Sequence, residues 1–581
     1  MSNPLVFYCI STIIGILSYI ILNYNILLGA VIAASFFVIL YFNVDKKFLV
    51  ICILFTGIGF ASSYLYFNVN IPKQVTLEVR INSKNKYYGE GSYSGRNFNL
   101  KGSLNKVNVG DLVEVYCEFN KDIDYDNGVI GELNIKKIKY IKKDFISHIY
   151  DFRRRIYERY KEKMGEDNAG IVMSLCFGDT SNLSSEYKNS LKTLGIIHAV
   201  SVSGMHIGVI YMVMEKFLGI FPALIVSLAY VVFTGSLPAT VRSFIMIAIV
   251  KLSYKIYRNY NALASLAFSA LIMLILYPYY LLNIGFDLSY LATLGIIIFY
   301  KKIRRGLYKL PQKLNDALSV TLSAQFFSVP YCLLVLNSFS GGFILGNLIV
   351  VPVYSLIVLL GNAGIFLFEF NYLFSILCNC IDIILKALDG VIDDLLIVTP
   401  AVTYVTSFTG IALIFILISF AVYLNGHKKF KYFPIVIFIS VVFSSCCFFP
   451  KISYVALKKG SALIVNYKDK AVAVMNGCTK SEKDEDEIKN RFNVNNFVYN
   501  YKTFIVNKNY KVLVDSLRND VKIYDDGKKI FQSDGDNIVY RRSYLSGYGI
   551  IKMSKAQKYD LYKTKASAFI IFGKILVLRG E

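Results

Sequence analysis

Long apolar runs recur throughout this chain and constrain its fold more than any other feature. Several of them reach the roughly 18 residues that an α-helix needs to cross the hydrocarbon core of a bilayer. These runs are spread along the sequence rather than confined to one end, and 55% of the 581 residues are hydrophobic. The sequence therefore predicts a polytopic α-helical membrane protein and argues against a soluble enzyme with one large core.

The order of apolar and basic segments predicts an orientation in the cell membrane. The candidate spans are 6–23, 26–43, 48–68, 195–215, 217–235, 239–256, 261–278, 282–300, 316–336, 341–367, 371–388, 406–424 and 433–449. Basic stretches at 45–47, 255–258, 301–313 and 427–431 all fall on one side of this arrangement, which the positive-inside rule assigns to the cytoplasm. We therefore expect a cytoplasmic N-terminus. Part of the net charge of +23 reflects these loops and does not by itself indicate nucleic acid.

Polar blocks divide the chain into five predicted domains. Residues 1–70 are N-terminal transmembrane helices and 168–449 are the main transmembrane domain. Between them, 72–145 alternates polar and apolar residues as a small β-barrel or meander does, and we expect it outside the cell. Residues 146–167 form a basic amphipathic helix that lies on the membrane surface or guides nucleic acid. Residues 450–581 are strand-like, expected outside, and richer in Lys and Arg than in Asp and Glu.

A polar cluster interrupts one of the apolar runs. His198, Ser201, Ser203, Gly204 and His206 all lie within nine positions. Ionisable groups at membrane depth are costly and usually face a cavity or a pathway rather than lipid. Ser203-Gly204 predicts a helix break, which is tolerated there only where it lines protein or water. The alternative is a pair of histidines that hydrogen-bond to neighbouring helices.

Other polar residues recur in the spans that follow. Arg242 lies one turn inside its span, where it either lines a channel or extends to the outer interface. Asp287 is a candidate ion-pair partner for Arg242 or for a histidine, and Ser289 follows it closely. Gln325 and Asn347 carry amides, which in bilayers commonly join helices by hydrogen bonds.

The sequence lacks the common signatures of soluble catalysis. It has no P-loop lysine motif and no His-Glu-x-x-His metal motif. No histidine follows His427, which argues against a multi-histidine zinc site in 450–581. We therefore predict no catalytic residue, no metal site and no cofactor.

In order and spacing, these polar motifs resemble those of the ComEC family of competence proteins. The resemblance covers about residues 170–360, and its most specific part is the histidine and serine signature. The matching elements are Phe177-Gly178-Asp179, Gly195-x-x-His198-x-x-x-x-Ser203-Gly204-x-His206, Pro238-x-x-x-Arg242, Gly285-Phe286-x-Leu288-Ser289-x-Leu291-Ala292, and Asn347 with Pro352.

The resemblance implies an inner-membrane channel that passes single-stranded DNA into the cytoplasm during natural transformation. It also implies an extracellular OB-like (OB-fold) β domain, a DNA-receptor protein and pilus as partners, and a cytoplasmic helicase-like ATPase that supplies the driving force. Membrane lipid surrounds such a channel. The residues expected along the DNA path are His198, Ser201, Ser203, Gly204, His206, Arg242, Asp287, Ser289, Gln325 and Asn347.

The sequence departs from the family pattern in two places. Asp287 stands where similar proteins usually have Gln, which puts a negative charge near the expected DNA path. Residues 452–478 resemble the opening strands of the family's metallo-β-lactamase-like nuclease domain, but the metal-binding motifs are missing. The C-terminal domain, α/β or β-rich, is therefore expected to be a degenerate copy without nuclease activity, and a separate nuclease is a possible partner.

Two other functions fit the same residues. Ser203 with His198 and His206 permits an intramembrane hydrolase, and a degenerate homologue permits a scaffold or an exporter of another polymer. In the β domain, aromatic residues either stack on DNA bases or belong to the core. These residues are Tyr87, Tyr88, Tyr93, Phe98 and Tyr116.

Overall fold

The structure is a computed structural model in which most of the chain is described. The described residues run from 3 to 457, except 24, 44, 86, 106, 201–203, 257–259, 401, 406, 425–427 and 446. From 461 onward, the described residues are mainly those of the strands and the one helix given below. The chain divides into two compact units, Met1–Ser328 with Ser340–Ala401 and Val329–Phe339 with Val402–Glu581. The five predicted domain boundaries remain predictions.

The first unit begins with a helical hairpin that is packed through glycines. On α1, a Cβ added to Gly15 would overlap the carbonyl oxygen of Thr56, and one added to Gly59 on α3 would overlap that of Thr12. Small residues of this kind allow two helix backbones to approach closely in a membrane. The helices are α1 Pro4–Leu22, α2 Ile26–Asn43 and α3 Lys46–Phe67.

A small β-barrel follows α3, as the alternating pattern predicts. It is closed in the order β1-β2-β3-β5-β4, with β3 and β5 parallel. The alternation buries one face of each strand, including Val79, Phe98 and Val115. The OB-fold assignment stays a prediction. The strands are β1 Gln74–Lys84, β2 Tyr88–Tyr93, β3 Arg96–Lys101, β4 Leu112–Asp124 and β5 Val129–Lys142.

The basic helix after the barrel is α4, Phe145–Met164, and it packs into the protein. Asp144 caps its N-terminus by accepting from Ser147 N at 2.9 Å. The buried Arg153 donates to the carbonyl oxygen of Phe177 at 3.1 Å, and the buried Tyr160 donates to that of Gly361 at 2.9 Å. Helix α4 therefore contacts neighbouring helices through apolar and basic side chains, and its expected place on the membrane surface stays a prediction.

Apolar helices form the rest of the first unit. They are α5 Glu166–Phe177, α6 Ser185–Thr193, α7 Ile197–Val200, α8 Gly204–Leu218, α9 Ile220–Phe233, α10 Pro238–Lys255, α11 Ala262–Leu276, α12 Ile284–Gly306, α13 Gln312–Tyr331, α14 Phe343–Leu345, α15 Val351–Leu367 and α16 Asn371–Val398. Helix α13 continues into the residues of the second unit.

Five helices among the described residues are long and apolar enough to cross a membrane, which fits a membrane protein. They are Pro4–Leu22, Lys46–Phe67, Ile284–Gly306, Gln312–Leu336 and Phe343–Leu367. The predicted span 195–215 includes α7 and the start of α8, and because residues 201–203 between them lie outside the described residues, it stays a prediction.

Two of these long helices contain a π-helical turn beside a proline. The turns are Cys332–Leu336, shortly after Pro330, and Gly346–Val350, just before Pro352. Proline has no N–H to donate and its ring crowds the carbonyl four residues earlier. For Pro352 that carbonyl belongs to Leu348, inside the turn Gly346–Val350, so we attribute this wider turn to the lost hydrogen bond.

The second unit combines two apolar helices with two six-stranded sheets. The sheet orders are β11-β10-β9-β8-β18-β19 and β12-β13-β14-β15-β16-β17. Its relation to a metallo-β-lactamase-like domain stays a prediction. The elements are β6 Ser338–Phe339, β7 Thr403–Tyr404, α17 Ser407–Leu424, α18 Phe433–Ser445, β8 Cys447–Ala456, β9 Ser461–Lys468, β10 Lys470–Asn476, α19 Glu482–Phe492, β11 Asn496–Tyr499, β12 Thr503–Asn507, β13 Tyr510–Asp515, β14 Asp520–Asp525, β15 Lys528–Asp534, β16 Asn537–Arg541, β17 Tyr548–Lys552, β18 Thr564–Ile571 and β19 Lys574–Arg579.

Candidate functional site

The described part of α7 reaches Val200, and that of α8 starts at Gly204. Residues 201–203 lie outside the described residues, so the helix break expected at Ser203-Gly204 stays a prediction. The expected place of Ser201 and Ser203 along a DNA path and the Ser203-based hydrolase also remain predictions. His198 lies on α7 and His206 lies on α8.

The segment before α7 packs against the residues around α14. A Cβ added to Gly195, which has φ of +66°, would lie 2.8 Å from Cβ of Phe343. His198 is exposed on α7. Asn347 is half-buried and donates to the carbonyl oxygen of Phe343 at 2.7 Å. Its amide N–H therefore bonds within its own helical turn rather than to another helix.

In α8, the residues around Gly204 pack against α10. A Cβ on Gly204 would overlap Oγ of Ser243 and lie 3.2 Å from Nη2 of Arg242. His206 follows half a turn later and is 1% exposed. Gly204 therefore allows a contact between α8 and the Arg242 guanidinium that any larger residue would prevent.

Arg242 is buried among neutral groups. Its helix begins with Pro238, whose fixed φ suits the first helical position. The Arg242 side chain is 9% exposed. It donates to Oγ1 of Thr293 and to Oγ of Ser243 at 3.4 Å. Its guanidinium carbon lies 5.7 Å from the ring centroid of Tyr290. Helices α8, α10 and α12 thus meet at this guanidinium, and we name Gly204, Arg242, Ser243, Tyr290 and Thr293 the Arg242 cluster.

Among the described ion pairs, none joins Arg242 to Asp287. Within the part of the chain that the structure describes, no carboxylate lies within 4.0 Å of the Arg242 guanidinium. Asp287 lies in the first turn of α12, where a negative charge is favoured by the helix dipole. Ser289 is connected to the cluster only indirectly, because its carbonyl oxygen accepts from Thr293 Oγ1 at 2.9 Å.

Gln325 lies half-buried on α13, in the hairpin that α13 forms with α12. The two helices approach closely at Gly295, where a Cβ would overlap the carbonyl oxygen of Ser323, and they stack Phe299 on Phe326 at 3.9 Å. Among the described residues, no hydrogen bond joins Gln325 or Asn347 to the Arg242 cluster. The structure therefore brings together only part of the predicted path.

Sequence reasoning missed a second charged group between the same helices. Lys251 on α10 donates to both carboxylate oxygens of Glu215 on α8, at 2.8 and 2.7 Å. Tyr211 donates to the same carboxylate at 2.9 Å. Both charged residues fall inside or at the end of predicted spans. Because a charged side chain at membrane depth is energetically costly, their positions in the sequence already indicate a polar contact there. The neutral members of the Arg242 cluster gave no such signal.

The barrel aromatics divide into surface and core residues. Tyr87 and Tyr88 are 63% and 61% exposed, whereas Phe98 is fully buried and cannot stack on a base. Tyr116 is partly exposed and donates to Oε1 of Gln74 at 3.0 Å. Lysines on β5 lie beside glutamates of the neighbouring strands, as in the Lys136–Glu118 pair at 3.3 Å, which weakens the positive field of this surface.

Part of the chain matches the model of a known protein family. Residues 175–429 match the family model described as "Competence protein". We call residues 175–429 the competence segment. The competence segment contains every residue of the Arg242 cluster and the Glu215–Lys251 pair, so the family match and the polar geometry coincide.

Two curated proteins are similar to part of the chain. An uncharacterized protein of Aquifex aeolicus (strain VF5) is 26% identical over 258 residues, which are 39% of this chain and 61% of that protein. ComE operon protein 3 of Bacillus subtilis (strain 168) is 24% identical over 245 residues, 40% of this chain and 31% of that protein. The match therefore spans less than two thirds of either relative. No solved structure matches the chain.

Proposed function

We propose that this protein carries single-stranded DNA across the cell membrane during natural transformation. The observation that carries the proposal is that the competence segment, residues 175–429, contains a buried, cationic cluster around Arg242. A polyanion needs water or cations along its whole route, because a bare charge in hydrocarbon costs several kcal/mol or more. Arg242 supplies such a cation beside Gly204, where side-chain polar groups meet.

We propose that the barrel lies outside the cell. Tyr66, at the end of α3, donates to the carbonyl oxygen of Gly128 in the barrel at 2.9 Å, so the barrel is joined to this end of the helix. The opposite end of α3 begins with Lys46 and Lys47, and basic residues belong on the cytoplasmic side. The predicted order of spans supports the same outer side for 450–581.

The outer parts have different proposed roles. The excess of Lys and Arg in 450–581 suits sequence-independent contacts with DNA phosphates. The lysines of the barrel are paired with glutamates, so the proposed role of the barrel is to stack DNA bases on Tyr87 and Tyr88. A DNA-receptor protein and a cytoplasmic helicase-like ATPase are proposed partners, since no P-loop occurs in the sequence.

The test is DNA uptake by cells with and without this chain. Cells of the source strain would receive fluorescent double-stranded DNA, and label in protected cytoplasmic single strands would be scored beside labelled DNA bound at the surface. We expect deletion and His206→Ala to abolish cytoplasmic label while surface binding and the amount of membrane-inserted protein stay unchanged. Normal uptake in the deletion strain would overturn the proposed function.

We also propose that the chain has no nuclease of its own. Among the described residues, no group of three His, Cys, Asp or Glu side chains has the geometry of a metal site, and the metal-binding motifs of the related nuclease domains are missing from the sequence. Purified full-length protein should leave labelled double-stranded DNA intact in Mg²⁺ or Mn²⁺. Cleavage that EDTA suppresses would contradict this proposal.

A further inference from the structure

The end of the α12–α13 hairpin is strongly basic. Residues 301–316 carry six Lys or Arg side chains and one acidic side chain, Asp316. Asp316 is used within the hairpin, where it accepts from Nε of Arg304 at 2.5 Å and from the hydroxyl of Tyr300 at 3.1 Å. Asn315 donates to the carbonyl oxygen of Arg304 at 3.1 Å. These bonds hold the two helix ends together and occupy the carboxylate of this segment.

Five other basic side chains at this hairpin end are exposed. Among the described residues, no carboxylate lies within 4.0 Å of any of them. They are Lys301, Lys302, Arg305, Lys309 and Lys313, and we name them the basic cluster. Lys301 and Arg305 stand four positions apart on α12, where like charges repel each other. The basic cluster therefore attracts anions from outside the protein.

The basic cluster lies where the lipid-facing surface of the hairpin ends. Both helices are long enough to cross a membrane, and only 11% of the residues in the apolar stretch of α12 are buried by protein. Ile298 on α12 is 40% exposed and Val320 on α13 is 42% exposed. Because an α-helix rises 1.5 Å per residue, the basic cluster begins about 5 Å beyond Ile298. Phospholipid headgroups lie at this distance from the hydrocarbon core.

An exposed tyrosine lies within the basic cluster. Tyr308 is 72% exposed in the turn between α12 and α13, and tyrosine rings concentrate at the headgroup level of a membrane. Phosphate oxygens accept hydrogen bonds from ammonium and guanidinium groups, and basic clusters beside a transmembrane helix attract anionic lipids. A nucleic-acid strand would be attracted by the same charge, but it would leave the position of the cluster at the end of lipid-facing helices unexplained.

We propose that the basic cluster binds the headgroup phosphates of anionic phospholipids. In the orientation proposed above these lipids belong to the cytoplasmic leaflet, and the binding itself does not depend on DNA transport. Bound headgroups hold the hairpin at a set depth in the membrane. Because α12 also carries Tyr290 and Thr293, which contact Arg242, the lipid anchors the helix that positions the Arg242 guanidinium.

A local test is possible because the chain contains no tryptophan. Ile298→Trp and Ile284→Trp each introduce a single tryptophan at a site that is 40% exposed, and the two sites lie towards opposite ends of α12. The full-length variants would be reconstituted in phosphatidylcholine vesicles that contain a fixed share of brominated phosphatidylglycerol or brominated phosphatidylcholine. Quenching of the tryptophan fluorescence then measures which lipid lies beside each site. We expect phosphatidylglycerol to be enriched about tenfold or more at position 298, and both lipids to quench about equally at position 284.

Variants of the basic cluster show whether its charge causes the enrichment. Replacing all five residues by glutamine should abolish the enrichment at position 298. Replacing the four lysines by arginine should preserve it, because arginine keeps the charge and binds phosphate. Added salt should lower the enrichment, since exposed charges are screened. The salt measurement uses the unmodified cluster, so it decides the question even where the glutamine variant does not fold.

The outcomes separate lipid from nucleic acid. Enrichment that is lost with glutamine or salt and kept with arginine supports the anionic-lipid site. Equal quenching by the two lipids at position 298, or enrichment that survives the five glutamines and high salt, overturns it. An oligothymidylate that binds in phosphatidylcholine alone through these five residues, without any lipid enrichment, assigns the basic cluster to nucleic acid and also overturns the proposal.

Discussion

Two basic residues of helix α10, Arg242 and Lys251, have different surroundings. Lys251 is held by Glu215 at 2.7 Å, so its charge is neutralised within the fold. Arg242, nearer the barrel end of the same helix, meets only hydroxyls and an aromatic ring in the described structure. Both residues contribute to the same contact between α8 and α10.

The difference separates a charge used for stability from a charge kept for a ligand. A paired lysine fixes two helices together, and removing its partner leaves an uncompensated charge. A buried arginine without a carboxylate partner adds little to the stability of the fold, although its burial costs free energy. Its presence therefore requires a functional reason. We therefore expect removal of the charge at Arg242 to affect transport, and loss of the partner of Lys251 to affect stability.

The largest expected effect is on transport by Arg242→Gln. We expect DNA uptake to fall by about tenfold or more, because one charge-assisted contact to the strand is lost. The unfolding temperature should stay the same or rise, since a buried charge is removed. Transformant counts and thermal unfolding of the purified protein check both quantities. A strong loss of stability with normal uptake per folded molecule would reverse the roles of the two basic residues.

Glu215→Gln should have the opposite profile. Lys251 then lacks its carboxylate, and we expect a loss of about 2 kcal/mol in the free energy of unfolding, below the value for fully buried pairs because the two side chains are 31% and 25% exposed. The double variant Glu215→Gln, Lys251→Gln should recover most of this loss. Chemical unfolding in detergent measures both, and no recovery in the double variant would argue against the pair.

Gly204→Ala probes the contact between the two regions. Its Cβ would overlap Oγ of Ser243, so we expect a cost of about 1 to 2 kcal/mol from overpacking, partly relieved by Ser243→Ala. Gly208→Ala is the matched control on the same helix, because nothing lies within 4 Å of its Cβ position. That variant should be neutral or stabilising by up to about 1 kcal/mol. Equal effects of the two alanines on thermal unfolding would contradict the close approach.

The smallest effect concerns an ion pair outside the membrane. Arg80 donates to the Asp144 carboxylate, which lowers the pKa of Asp144 below its ordinary value. A lowered carboxyl pKa stabilises the fold above the unfolded-state value, about 4, and the contribution is lost as pH falls through the folded-state pKa. We expect Asp144→Asn to cost about 1 kcal/mol near neutral pH and little in strong acid. Unfolding curves across this pH range, which should converge, provide the check; parallel curves would disprove the linkage.

The sequence predicts features that depend on neighbouring residues and misses those that depend on distant ones. The alternation of the barrel strands follows from a local pattern. The partners of Arg242 do not, because Tyr290 and Thr293 come from a helix about fifty positions away and are neutral. The charge of Asp287 suggests it as a partner of Arg242, although the dipole of its own helix explains its position equally well.

Crosslinking during uptake tests the central claim most directly. A photoreactive benzoylphenylalanine would replace Tyr290, whose ring faces Arg242, and in a second strain Met212, which is 62% exposed on α8. Cells taking up labelled DNA would be illuminated and the protein isolated under denaturing conditions. We predict DNA attached at position 290 and not at 212, with less attachment when Arg242→Gln is added. Import of DNA without attachment at 290 would contradict a strand passing the Arg242 cluster.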